Sequence, residues 1–421
     1  VKFKIQLQLF LNFIKNTVLL FVSIYFISHC SKKFNSFYEI NNELKTSEKL
    51  KVGANRLDLL LPILKNKSIG IVANQTSVIF KNHSESDTKL QYTHLVDSLI
   101  SLKVDVKKVF APEHGYRGIS DAGEYVNDGI DIKTGLPIVS LYGKNRKPNA
   151  NSLKDLDLII FDIQGVGARF YTFVSTLHYM MEACAKMNIP LIILDRPNPN
   201  AHYVDGPVLN MEYKSFVGMH PVPISHGMTL GEFALMINGE GWLENNVKCD
   251  IKIIPISNYN RKVIYKLPIK PSPNLPNAKA INLYPSLCLF EGTNVSVGRG
   301  TSLQFQIFGS PFIKSNDMKF QFEPKPNLGA KKPKYEGDIC YGKNLQNSII
   351  LNEINLSWLI DAYKKTKNKN TFFNPFFDKL AGQRKLQEQI KNGVGINEIK
   401  KSWEPELRKF KSIRSNYLLY Q

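Results

Sequence analysis

The chain is poor in the residues that several reaction classes need. Of its five cysteines, none stand at CxxC spacing, so zinc and iron–sulfur sites have no support. Cys184 falls in a helical run and Cys288 in an apolar one, and both read as buried thiols. The histidines His83, His94, His114, His178, His202, His220 and His226 are scattered, with no H-x-x-x-H and no H-E-x-x-H. A resident metal is therefore not expected. There is no P-loop and no G-x-S-x-G elbow, which leaves nucleotide and serine hydrolysis without their signatures. Gly165-Val-Gly-Ala-Arg169 stops short of G-x-G-x-x-G, because Phe170 occupies the last glycine position. No acid follows at dinucleotide spacing, so no cofactor is expected. Acid is scarce overall: 36 Asp and Glu face 55 Lys and Arg, for a net charge of +19. The excess is mostly scattered lysine (K-K-P-K near 331, K-K-T-K-N-K-N near 364) and never an arginine-rich stripe with interleaved aromatics. Nucleic acid is not the expected partner. A basic surface suits an anionic polymer or a membrane face instead.

What the sequence does contain begins at residues 1–30, read as a signal peptide. Lys2, Lys4 and Lys15 precede the apolar run Thr17–Ile27, which is too short to span a bilayer comfortably. It ends in Ile27-Ser28-His29-Cys30, similar to a bacterial lipobox with Cys30 as the lipidated residue; His29 stands where a small residue is usual. Residues 31–49 read as a tether. These features predict an exported protein, lipid-anchored in the periplasm or at the outer membrane.

A length of 421 residues suits two domains. Apolar runs alternate with helical patterns through 50–246. Helices are expected at Leu50–Leu64, Thr93–Leu102 (with Thr93 as N-cap) and Thr172–Met187, and strands at Ser68–Ala73, Val106–Ala111, Pro137–Tyr142, Leu156–Ile163 and Pro190–Leu194. Near-continuous apolar strands separated by helices predict a parallel sheet covered on both faces. A capping box, Thr229 to Glu232, opens a further helix. From Cys249–Ile256 the character changes, through the proline-rich Pro268–Pro276 and a glycine-punctuated run at Leu283–Thr301. Residues 247–421 are assigned to a smaller α/β domain.

Ligands of open α/β sheets bind beyond the carboxyl ends of the strands. Four strands here end in polar residues: Asn74/Gln75, Glu113/His114, Asp162/Gln164 and Asp195/Arg196. The densest is Val106–Glu124, where Glu113, His114, Arg117, Asp121 and Glu124 share a glycine-rich loop. Grouped carboxylates fit glycoside cleavage, which needs one carboxyl as acid. A second group must act as base or nucleophile, or orient a substrate acetamido group. Glu113, behind an apolar strand and a proline, is the acid candidate. Glu124, Asp121, Asp162 and Glu291 are candidates for the second. His114 and Arg117 are placed as substrate contacts, and Arg169, Arg196 and Arg299 as partners for a substrate carboxylate.

The segments V-A-N-Q-T-S (72–77), F-A-P-E-H-G-Y-R-G (110–118), D-A-G-E (121–124), F-D-I-Q-G-V-G-A-R-F-Y-T (161–172), L-D-R-P-N-P (194–199), G-P-V-L (206–209), H-G-M-T-L-G-E (226–232) and L-F-E-G-T-N-V-S-V-G-R-G-T (289–301) resemble the exo-β-N-acetylmuramidase family, long catalogued as a domain of unknown function. One position departs: Gly165 stands where members often carry aspartate. The resemblance implies a Rossmann-like domain, a smaller C-terminal α/β domain and a cleft between them. It also implies release of terminal N-acetylmuramic acid from the non-reducing ends of peptidoglycan fragments, with Glu113 catalytic and no metal or nucleotide. The alternative from a different class is a non-catalytic lipoprotein that binds muropeptides or wall polymer in the same cleft.

Overall fold

β1 (Ser68–Ala73) is the strand around which the sheet grows. Ile69, Ile71, Val72 and Ala73 are fully buried, as a central strand covered on both faces requires. β2 (Val78–Phe80) and β3 (Tyr92–His94) form a short antiparallel pair beside it. β4 (Asp105–Ala111) lies parallel to β1, and β5 (Gly129–Ile130) with β6 (Pro137–Ser140) completes that side. β7 (Leu158–Asp162), β8 (Leu191–Leu194) and β9 (Ile251–Ile254) extend the other side. The order is β5-β6-β4-β1-β7-β8-β9, and every pairing is parallel except β5 with β6. Helices Leu95–Ser101, Ala150–Leu153, Phe173–Met187 and Leu230–Gly239 lie in the connections that return the chain to parallel strands.

A smaller antiparallel sheet follows, β10 (Ile307–Ser310), β11 (Phe320–Phe322) and β12 (Cys340–Asn344), in the order β10-β12-β11. With helices Ala278–Leu287, Ser357–Lys365 and Ile396–Ser415 it forms the C-terminal region. This is the expected α/β architecture. The computed structural model describes residues 50–81, 91–118, 124, 127–313, 316 and 318–421. Cys30, the signal-peptide and tether segments, His83 and Asp121 lie outside the described residues. Lys51–Gln421 forms one compact unit. No helix of the described residues is long and apolar enough to cross a membrane.

Three local expectations change. The strand at Ile251–Ile254, assigned from sequence to the second domain, is the edge strand of the large sheet, paired with β8. His94, not Thr93, caps the second helix, its ring accepting from Val96 N–H, while Thr93 pairs with Ile79. The first helix runs only over Leu57–Leu64, after a short 3₁₀ turn at Gly53–Asn55. The capping box forms as read: Thr229 Oγ1 accepts from Glu232 N–H, and Glu232 accepts from Thr229 N–H.

Register sets the site. Ala73 stands opposite Asp162, Val72 opposite Phe110, and Ala111 opposite Ser140. The carboxyl ends of four neighbouring strands therefore finish close to level, and the loops beyond them meet.

Candidate active site

β4 delivers Pro112 and Glu113 to this edge, and the chain then turns sharply. His114, Gly115 and Gly118 take positive φ values of 70°, 76° and 75°, and Gly115 N–H donates to Pro112 O at 2.9 Å. Glycine is required at 118, because a Cβ there would stand 2.5 Å from Gln75 Oε1. His114 accepts the left-handed conformation although it carries a Cβ, an uncommon and mildly strained state.

β7 supplies the second wall. Beyond it the chain reaches Phe170, Tyr171 and Thr172, and Thr172 precedes the helix Phe173–Met187. A threonine there ordinarily caps the helix with its hydroxyl. Thr172 instead donates to Glu113 Oε2 at 2.6 Å, so the helix start positions a carboxyl. Tyr142 also borders Glu113. Burial and the negative charge of Glu113 push its phenol above the ordinary range, and the same two causes act on Tyr171.

These residues open into a cleft of about 880 Å³, within the range of small-molecule ligand pockets. Its apolar surface comes from Phe170, Tyr171, Phe173, Tyr284 and Phe305. Its charged lining is lopsided: Arg146, Arg299, Lys331, Lys332, Lys334 and Lys379 face three carboxylates, Glu113, Glu124 and Glu291. The C-terminal region supplies most of the cations. Glu291 Oε1 accepts from Arg299 Nε at 2.5 Å, and Cys288 Sγ lies 3.7 Å from Glu291 Oε2. Burial opposes the Arg299 charge, but Glu291 outweighs it and raises the guanidinium further. Arg299 Nη1 is buried and has no hydrogen-bond partner among the described residues. Lys334 Nζ donates to Thr293 O at 2.8 Å, and burial lowers its pKa. At the rim Lys331 Nζ pairs with Glu124 Oε1 at 2.6 Å.

Of the residues singled out in the sequence, the structure brings Glu113, His114, Glu124, Glu291 and Arg299 to the cleft. The other described ones hold the fold. Asp162, a candidate second carboxylate, is fully buried and receives Arg196 Nε at 2.6 Å and Nη2 at 2.9 Å. Arg196 is thereby consumed as well, with Val78 O as a further acceptor. Asp195 accepts from Thr229 Oγ1, Gly231 N–H and the Tyr420 hydroxyl. It joins the C-terminal segment to β8, and burial pushes its carboxyl up to about 6. Arg169 donates to the carbonyls of Pro207, Val222 and Leu380. Asn74 Oδ1 accepts from Thr76 N–H and Oγ1, and Gln164 Nε2 donates to Gly165 O and Pro197 O. Arg117 pairs with Asp131 at 2.8 Å, away from the cleft lining. Gln75 donates to Lys270 O and Pro271 O.

Thr172, Tyr142, Ser272 and Lys334 were not singled out in the sequence. Lys334 belongs to K-K-P-K, where lysine abundance masks a placed residue. Thr172 closes the strand exit F-Y-T but carries no charge to draw notice. Among the described residues no three His, Cys, Asp or Glu side chains gather as a metal site.

Residues 69–279 match the N-terminal domain, and 282–420 the C-terminal domain, of the family described as exo-β-N-acetylmuramidase NamZ. The peptidoglycan β-N-acetylmuramidase NamZ of Bacillus subtilis (strain 168) is 36% identical over 399 residues, covering 89% of this chain and 93% of its own. Two crystal structures of DUF1343 family proteins from Bacteroides fragilis share the architecture. One is 45% identical with a TM-score of 0.79, covering 89% of this chain and 99% of its own. The other is 26% identical with a TM-score of 0.72, covering 88% and 99%. Two domain matches in order, over residues 69–279 and 282–420, show that the chain belongs to the exo-β-N-acetylmuramidase NamZ family.

Proposed function

We propose that this chain is an exo-acting glycoside hydrolase that releases terminal N-acetylmuramic acid from the non-reducing ends of peptidoglycan fragments. The observation that carries the reading is Glu113, bonded to Thr172 in a cleft where six cations face three carboxylates. N-acetylmuramic acid is a sugar with a lactyl carboxylate, so it needs both an apolar wall for the ring and a cation for the acid. The name of the Bacillus subtilis relative points to the same substrate.

In this reading Glu113 protonates the glycosidic oxygen as the C1–O bond breaks, and the leaving sugar departs as an alcohol. Water then adds to C1 and gives its proton to a second carboxylate, so one carboxyl gives up a proton and the other takes one. Glu124 is the proposed second carboxylate, because it lines the cleft and its ion pair with Lys331 is exposed enough to rearrange around a substrate. Asp162 has no access to that role. Arg299 is the proposed partner of the lactyl carboxylate, since Nη1 still lacks an acceptor while Nε is held by Glu291.

The test compares an aryl β-N-acetylmuramide with the matching glucosaminide, which lacks the lactyl group. The wild type is expected to favour the muramide. Arg299→Gln is expected to raise KM on the muramide by about 10–100-fold, the value of a charged hydrogen bond, and to leave the glucosaminide nearly unaffected. A folded wild type that turns over no muramyl substrate would sink the reading in favour of a binding protein. Export and lipid anchoring at Cys30 belong to the same proposal and rest on the N-terminal sequence. Cys30→Ser is expected to move the protein from the membrane fraction to the soluble one; unchanged fractionation would refute the anchor.

A further inference from the structure

The proline-rich bend after β9 is bound to the sheet edge at three consecutive residues. Gln75 Nε2 donates to Lys270 O at 3.2 Å and to Pro271 O at 3.1 Å. The Tyr171 hydroxyl donates to Pro271 O at 2.7 Å. Ser272 Oγ lies 3.1 Å from His114 Nε2, and both side chains are buried. The bend continues to Asn274, whose Nδ2 donates to Gly329 O at 2.7 Å, and Gly329 opens the lysine-bearing segment of the cleft wall. One strap therefore joins the Glu113 loop to the cationic wall.

His114 is the residue next to Glu113, and it stands at φ 70°. A residue with a Cβ pays about 1 kcal/mol or more for that conformation, so contacts of its side chain must hold it there. Ser272 makes one such contact. Its own oxygen is fixed in turn, because it accepts from Asn274 N–H at 3.2 Å. If His114 relaxed to negative φ, the peptide that carries Glu113 would rotate and the carboxyl would leave Thr172.

We infer that Ser272 is a positioning residue: its hydroxyl anchors the His114 ring, keeps residue 114 in the left-handed conformation, and so sets the Glu113 carboxyl. This rests on Glu113 being the acid. It makes the strap part of the active site, although Ser272 sits more than 150 residues from Glu113 in sequence.

The experiment is a double-mutant cycle between positions 272 and 114. Ser272→Ala is expected to lower kcat on a muramyl disaccharide by about 10–100-fold, the cost of displacing a reacting group by about an ångström, with KM within about twofold. Ser272→Thr retains the hydroxyl and is expected to recover most of the rate. Glycine adopts positive φ without strain, so His114→Gly makes the anchor redundant. In that background Ser272→Ala is expected to have under a threefold effect. The inference is overturned if Ser272→Ala keeps the wild-type kcat, or if its loss is the same with glycine at 114. Failure of the enzymatic reading is a different result, no turnover by the wild type. The crystal structure of Ser272→Ala then decides: residue 114 leaving positive φ supports the anchor, and an unchanged φ refutes it.

Discussion

Glu113→Gln is expected to lower kcat on a muramyl disaccharide by about 10²–10⁴-fold, the range measured for loss of a general acid. The substitution removes one ionisable group and little else. The amide has nearly the shape of the carboxyl, and its oxygen can still accept from Thr172 Oγ1, which donates to Glu113 at 2.6 Å in the folded chain. KM and Tm should therefore stay near wild type. Leaving groups make the test specific. A sugar alkoxide must be protonated to depart, whereas a nitrophenolate needs little help. Loss on the disaccharide should exceed loss on a nitrophenyl muramide by at least tenfold. Equal losses on both would reject the acid assignment and place Glu113 as the nucleophile or as a binding group. A parallel Thr172→Val should cost less, because it removes a partner of the acid and leaves the acid itself.

The sequence exposed this site unevenly, for physical reasons. The parallel strands were legible because burial on both faces makes them apolar throughout, as in β1 and β7. Their polar exits lie at the edge of the sheet where the cleft opens. What the exits did not reveal is which polar side chains face ligand and which serve the backbone. Asp162 and Arg196 look like site residues in one dimension, yet they neutralise each other in the interior. The loop beyond a buried strand end leaves peptide groups without partners, and each must be satisfied. Asn74, Gln164 and Arg169 are spent on that task. The far wall was harder still, because it depends on contacts between distant segments. Ser272 meets His114 across 158 positions; the loop pattern marks His114, but no local pattern marks Ser272 or the meeting of the two. Lysine abundance also hid Lys334 among neighbours of the same type. β9 was misassigned because a short edge strand after a long connection carries no signal of which sheet it joins.

Arg169→Leu is expected to destabilise the protein by on the order of 3–9 kcal/mol, enough to consume much of a typical 5–15 kcal/mol margin. The estimate follows from the three carbonyls that Arg169 serves. Nη1 donates to Pro207 O at 2.8 Å and Val222 O at 2.7 Å, and Nη2 donates to Leu380 O at 2.8 Å. All these bonds are buried, and leucine would leave three acceptors without water or donor, at about 1–3 kcal/mol each. Burial lowers the guanidinium to about 9, so it remains charged at neutral pH and keeps its full donor strength. Arg169→Lys should rescue little, since a single ammonium does not reproduce a planar fork spread over three carbonyls. The result separates two roles for this arginine. A substrate contact would raise KM and leave Tm alone. A clasp would lower Tm sharply and leave KM of the surviving folded fraction near wild type at low temperature. Leu380 lines the cleft, whereas Arg169 does not; the arginine therefore reaches the substrate only through the helix Phe376–Ala381 that it fastens. Its contribution to activity should disappear once folding is restored by lower temperature, which no direct ligand of the lactyl carboxylate would allow.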